Sequence, residues 1–144
     1  MRSWRLDGTP GSLSAPDAHS GSIMALAVVE HDGAPLVISA GYDGALRSWR
    51  LDGTPGSLST PDAHSDGIMA LAVVEHDGAP LVISAGYDEA LRSWRLDGTP
   101  GSLSPDAHSG GIMALAVVEH DGAPLVISAG YEAVAKLCRG SRAR

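Results

Sequence analysis

The sequence predicts an all-β fold made of four-stranded antiparallel sheets, and three observations predict it. The string RSWRLDGTPGSLS begins at Arg2, Arg47 and Arg92, a spacing of 45 residues both times. Inside each period, short strand-forming runs are separated by Asp-Gly pairs, the preferred residues of tight hairpin turns. The chain of 144 residues also carries 18 Gly and nine Pro, and no apolar 3.6-residue period survives between the turns, so helix is a poor reading.

The fixed period divides the chain into units 2–46, 47–91 and 92–135, followed by a divergent tail, 136–144. Units one and two differ at only four positions: Ala15/Thr60, Gly21/Asp66, Ser22/Gly67 and Gly44/Glu89. Unit three lacks one residue before Pro105 and holds the pattern to Tyr131. Such near-identity indicates duplication of one segment, and it does not single out functional residues.

Within unit one, the turns Asp32-Gly33, Asp43-Gly44 and Asp52-Gly53 join four strands, expected near Ile23–Glu30, Leu36–Ala40, Ala45–Leu51 and Pro55–Ser59. Both central positions of each turn are expected at positive φ. In the first strand Ile23, Ala25, Ala27 and Val29 face one way and Met24, Leu26 and Val28 the other. Both faces are apolar, and both are expected to be buried. The second strand, LVISA, is similar, the third is mixed, and the fourth is polar with a proline, as suits an outer edge. Stacking many such sheets around an axis buries both faces, which is the architecture of a β-propeller.

The pieces DAHS, IMALAVV and GAPLVISAGYDGALRSW, with the spacing from His19 to Trp49, resemble a WD-repeat β-propeller over about 130 residues. Ala-His stands where that family usually has Gly-His, and Trp-Arg replaces Trp-Asp in every copy. The resemblance implies a hydrogen-bonded chain of Asp, His, Ser and Trp tying the inner strands together. It maps to Asp43, His19, Ser39 and Trp49, and to Asp88, His64, Ser84 and Trp94. The third set is His108, Ser128 and Glu132, with Cys138 at the Trp position. Pairing each of these groups avoids roughly 1–3 kcal/mol per unsatisfied buried polar group.

His19, Asp43 and Ser39 also have the composition of a hydrolase triad. A triad needs an exposed nucleophile and an oxyanion hole, and Ser39 sits mid-strand with no nucleophile-elbow glycines. A structural network is the better reading, with no catalytic residue, metal or cofactor. His31, His76 and His120 in the EHDG turns are read as solvated polar groups rather than metal ligands. Arg47, Arg50, Arg92 and Arg95 flank the Trp residues and are expected to snorkel or pair with Asp52 and Asp97. Tyr42, Tyr87 and Tyr131 precede the acidic residue of the second turn. The resemblance places them on the face used for partners, where tyrosine is a frequent hot-spot residue.

The net charge is −7, split into −11 over residues 1–135 and +4 over 136–144. An acidic body argues against nucleic acid, which requires clustered Lys and Arg. The longest apolar run, IMALAVV, is too short to span a membrane, and no basic-then-apolar leader opens the sequence. With the single cysteine, Cys138, which excludes an internal disulfide, these features lead to the expectation of a cytoplasmic protein.

The strands amount to about three blades' worth, whereas propellers typically have four to eight. In WD propellers the first and last segments commonly complete one blade. The expectation is therefore a partial propeller that self-associates, a dimer being favoured, with each N-terminal pair completing the other copy's last blade. The stretch 133–139 is the competitor for that slot, since it aligns with the third-strand sequence. The functional expectation is a non-catalytic scaffold that presents a loop face to a protein or peptide. The alternatives are a truncated gene fragment of a larger propeller and, third, the hydrolase.

Overall fold

The computed structural model describes residues 1–101, 103 and 107–131, together with the backbone of 135–139. All regular structure among the described residues is strand: β1 (Arg2–Trp4), β2 (Pro10–Ser14), β3 (Ile23–His31), β4 (Ala34–Gly41), β5 (Leu46–Arg50), β6 (Pro55–Thr60), β7 (Ile68–His76), β8 (Ala79–Gly86), β9 (Leu91–Arg95), β10 (Ile112–His120), β11 (Ala123–Gly130) and β12 (Ala135–Arg139). They form four antiparallel meanders, β1-β2, β3-β4-β5-β6, β7-β8-β9 and β10-β11-β12. The architecture is a partial β-propeller with no closed barrel. We refer to the last three sheets as blades one, two and three.

Among the described residues, blade one shows four strands and blades two and three show three each. Beyond β9, blade two shows a bridge between Trp94 and Pro100, and positions 102 and 104–106 lie outside the described residues. The fourth strand expected of blade two falls partly on those positions. In blade three, β12 pairs with β11 from Ala129↔Ala135 to Leu125↔Arg139. This is the register of β5 on β4, from Ala40↔Leu46 to Leu36↔Arg50. The chain's own residues thus occupy the third-strand slot of its last blade, and β12 crosses the boundary at 135/136 that composition suggested.

The three turns of a unit are not alike. In the first, Asp32 (φ 52°) and Gly33 (φ 76°) are both left-handed, as are Asp77 and Gly78, and Asp121 and Gly122. That is the primed two-residue hairpin expected of Asp-Gly. In the second and third turns only the last residue has positive φ, Gly44 at 78° and Gly53 at 91°. There the Gly44 amide donates to Gly41 O and the Gly53 amide to Arg50 O, while the Gly41 and Arg50 amides bond to Ala45 O and Thr54 O. These are three-residue loops ending in a left-handed glycine. The Asp of each sits before that position and bonds the amide two residues on: Asp43 to Ala45 and Asp52 to Thr54. A short polar side chain that folds back on its own backbone favours such turns.

Core packing follows the stacking of sheets. Ala25, Ala27 and Val29 of β3 pack with Leu71 and Val73 of β7, together with Ile38, Leu46, Leu58, Val82 and Trp94. One blade further, Ala72 and Val74 of β7 pack with Leu115 and Val117 of β10. The second strand, with a neighbouring strand on each side, is the most buried: Ile38, Ala40, Ile83 and Ala85 are wholly inaccessible. The expectation that both faces of every first strand are buried fails at the ends of the stack. In β3 Leu26 is 55% and Val28 63% exposed, because blade one has no neighbouring first strand on that side. In β10 the opposite face is open, with Ala114 and Ala116 exposed and Val118 46% accessible.

Candidate functional site

Two side-chain assemblies lie at the end of the blades that carries the second hairpin turns. The first is buried. His19 sits in the loop before β3, Asp43 in the β4–β5 turn, Ser39 mid-β4 and Trp49 on β5. His19 Nδ1 lies 3.0 Å from Asp43 Oδ1, and His19 Nε2 is 2.8 Å from Ser39 Oγ. The Trp49 indole Nε1–H donates to the same Ser39 oxygen at 2.8 Å. Blade two repeats this: His64 to Asp88 at 2.8 Å, His64 to Ser84 at 2.7 Å and Trp94 to Ser84 at 2.8 Å. In blade three His108 Nε2 and Ser128 Oγ are 2.8 Å apart. Glu132 lies outside the described residues, and Cys138 is paired with Val126 in register, where blades one and two pair Trp49 with Val37 and Trp94 with Val82.

Proton positions follow from the partners. An ionised carboxylate only accepts, so the imidazole proton is on Nδ1, Nε2 accepts from the Ser hydroxyl, and the Ser oxygen accepts from the indole. Each carboxylate takes further donors: Asp43 bonds the amides of Ser20 and Ala45, and Asp88 those of Ser65 and Ala90. Burial pushes both carboxyls up. The amides and the histidine outweigh it and hold Asp43 and Asp88 below the ordinary carboxylate range. Desolvation lowers His64 below the usual histidine value despite the opposing pull of Asp88, so the imidazole is neutral at neutral pH. The arrangement cannot work as a triad: Ser39 and Ser84 are wholly buried, and each accepts an indole proton where a substrate would have to approach.

The second assembly is exposed. Tyr42, Tyr87 and Tyr131 form a row along the blade edges. Tyr42 and Tyr87 meet edge to face with centroids 6.1 Å apart, and Tyr87 and Tyr131 stack at 6.0 Å. The Tyr87 and Tyr131 hydroxyls are 3.2 Å apart, and the hydrogen bond raises the Tyr87 pKa above the ordinary phenol value. Two of the rings are seated on a glycine of the next unit: a Cβ at Gly67 would come 2.8 Å from the Tyr42 ring, and one at Gly111 2.6 Å from that of Tyr87. The tyrosine amides bond to the loop before the first strand of their own blade, Tyr42 to Ser22 O, Tyr87 to Gly67 O and Tyr131 to Gly111 O. Gly67 and Gly111 were missed as site residues. Their signal was present in the sequence as one of the few positions where units one and two differ.

The remaining candidates separate. His31, His76 and His120 lie 3.3–3.4 Å from their neighbouring Asp32, Asp77 and Asp121. Among the described residues no group of three or more His, Cys, Asp or Glu is placed to hold a metal ion. Arg50 donates to Pro55 O at 3.1 Å, while Asp52 is bonded by Thr54; those bonds and, less strongly, the nearby Arg50 charge hold its carboxyl below the ordinary range. The Arg47 Nε is buried without a hydrogen-bond partner.

Residues 11–50 match the family model described as WD domain, G-beta repeat. The match runs from the edge strand β2 through blade one to the end of β5, the segment that holds His19, Ser39, Asp43, Tyr42 and Trp49. The all-strand antiparallel architecture agrees with a WD-repeat protein, a class whose members generally act as non-catalytic scaffolds in protein–protein interaction. No curated protein matches the chain.

Proposed function

We propose that the protein is a non-catalytic WD-repeat scaffold that binds a protein or peptide segment on its tyrosine-bearing loop face, as part of an assembled ring in the cytoplasm. The row of Tyr42, Tyr87 and Tyr131 carries the reading. Three aromatic rings in a row, each touching the next, are held by backbone bonds, and Tyr42 and Tyr87 are seated on glycines, yet Tyr42 and Tyr131 are left exposed. Rings fixed before binding lose little entropy on contact, the condition under which tyrosine contributes most to affinity. The buried His-Ser-Trp chains beneath supply a rigid base rather than a reactive group. The net charge of −11 over residues 1–135 favours a segment bearing Lys or Arg, whose cations also fit over tyrosine faces.

The test is selection of a random peptide library on phage against the purified chain, repeated with the Tyr42→Ala/Tyr87→Ala/Tyr131→Ala variant. Enrichment of Lys- or Arg-containing peptides that bind the variant at least about tenfold more weakly supports the reading. Selected peptides that bind both proteins equally place the binding surface elsewhere and overturn it.

A further inference from the structure

We propose that the ring closes through two dissimilar blade faces of this chain, and that β1 of one copy replaces β12 of the other in the last blade. The proposal deepens the assembled-ring reading and names its partner as a second copy. Its first support is the pair of junctions inside the chain. Both set unlike faces together: Ala25 and Ala27 against Leu71 and Val73, then Ala72 and Val74 against Leu115 and Val117. At the ends of the stack each half of this junction is left open. Leu26 and Val28 correspond to Leu71 and Val73 and are exposed on blade one, while Ala114, Ala116 and Val118 correspond to Ala70, Ala72 and Val74 and are exposed on blade three. Ile127 and Ala129 are only half-buried, where Ile83 and Ala85 are fully so. The occupant that fits the leucine-bearing end is therefore the alanine-bearing end of another copy, in a head-to-tail contact.

The second support is the β1-β2 pair. Leu13 of β2 packs on Val37 and Trp49 of blade one, as Leu58 of β6 joins the cluster holding Val82 and Trp94 of blade two. This seats β1 and β2 as third and fourth strands of a sheet whose first two strands a docked β10-β11 would supply. β1 carries RSW, the same string that places Trp49 and Trp94 on their serines, and Trp4 is 59% exposed. Paired with β11 in the register of β5 on β4, Trp4 stands opposite Val126 and its indole reaches Ser128. In the single chain that position is held by Cys138, a residue type with no indole N–H. Ser22 is the one rim departure: it stands where Gly67 and Gly111 seat the tyrosine of the preceding blade, so Tyr131 of the second copy shifts its ring there.

The experiment is the solution mass by light scattering of the full chain, of Leu26→Lys, of Ala116→Glu and of their equimolar mixture. Both positions are exposed in the single chain, so neither change disturbs its core. Wild type is expected at twice the chain mass, each variant alone at the single mass, and the mixture back at twice, through one unaltered junction and one Lys–Glu junction. A wild type that stays single, an Ala116→Glu protein that keeps the wild-type mass, or a mixture that does not recover overturns the proposal. For the strand exchange, a chain ending at Tyr131 is expected to associate at least about tenfold more tightly and Trp4→Ala as much more weakly. Equal affinities for all three overturn the exchange. Peptide capture by the same samples is read separately, so lost assembly with intact capture leaves the scaffold reading standing.

Discussion

At the scale of single residues, the buried chains depend on protonation. Ser84 donates to His64 only while Nε2 is unprotonated, and it accepts from Trp94 at the same oxygen. A proton on Nε2 turns that acceptor into a donor and leaves the Ser84 hydroxyl to find another partner inside a closed strand. His64 has a folded pKa below 6.5 because burial disfavours its charged form. Above pH 6.5 both folded and unfolded histidine are neutral, and its contribution to stability is complete. As pH falls through 6.5 the unfolded chain takes up a proton that the folded chain refuses, and stability declines. Asp88 acts lower: its carboxyl, depressed below 3.8, contributes fully above that value and loses its contribution as pH falls beneath it. The urea midpoint is thus expected to drop between pH 7.5 and 5.0, before any carboxylate titrates appreciably, and His64→Gln is expected to shrink that drop. A midpoint flat over this range contradicts a neutral, buried His64.

At the scale of elements, strand order was legible because the three units repeat it and the turns are punctuated by Asp-Gly. The observed strands agree with the expected ones within about two residues at each end, the scatter inherent in assigning element ends. Turn chemistry was legible only in part. Asp-Gly at 32–33 and at 43–44 look alike in sequence, but only the first has both residues left-handed. The difference lies in which carbonyl accepts the closing amide, and the dipeptide does not encode that. The same loop shows a cost in unit two, where Glu89 occupies the left-handed position (φ 69°) that Gly44 fills in unit one. A side chain there costs roughly 1–2 kcal/mol, and glycine's extra freedom in the unfolded chain returns about 0.4–1 kcal/mol of it. Glu89→Gly is expected to stabilise the protein by about 0.5–1 kcal/mol, seen as a thermal midpoint about 2 °C higher. A lower midpoint would mean that the Glu89 side chain makes contacts worth more than the strain. The tyrosine row was half legible on the same grounds: the three Tyr stood out by period, whereas Gly67 and Gly111 stood out only as a position where units differ, and their role as seats for Tyr42 and Tyr87 becomes visible when blades are stacked.

At the scale of the whole molecule, stability is a sum of blade terms and junction terms between neighbours. Composition said that both faces of IMALAVV are apolar, but which copies bury them depends on position in the stack, and a repeated string carries no information about which copy is terminal. Periodicity does define a clean excision. Removing 47–91 joins Leu46 to Arg92, and the RSWRL that follows Leu46 in the intact chain follows it again. The strand β9 then pairs with β4 as β5 did, and every remaining junction keeps its native sequence. Each shortened chain supplies two blades' worth of strands instead of three. The deletion leaves the Ala-against-Leu junction untouched, so the ring is expected to keep the six blades that two full chains of three would form, and to recruit a different number of chains. Native mass spectrometry is expected to find two copies of the full chain but three of the shortened one. Two shortened copies in a stable complex would mean that the junction tolerates a four-bladed angle, and a single shortened copy would mean that the open faces do not hold the ring together.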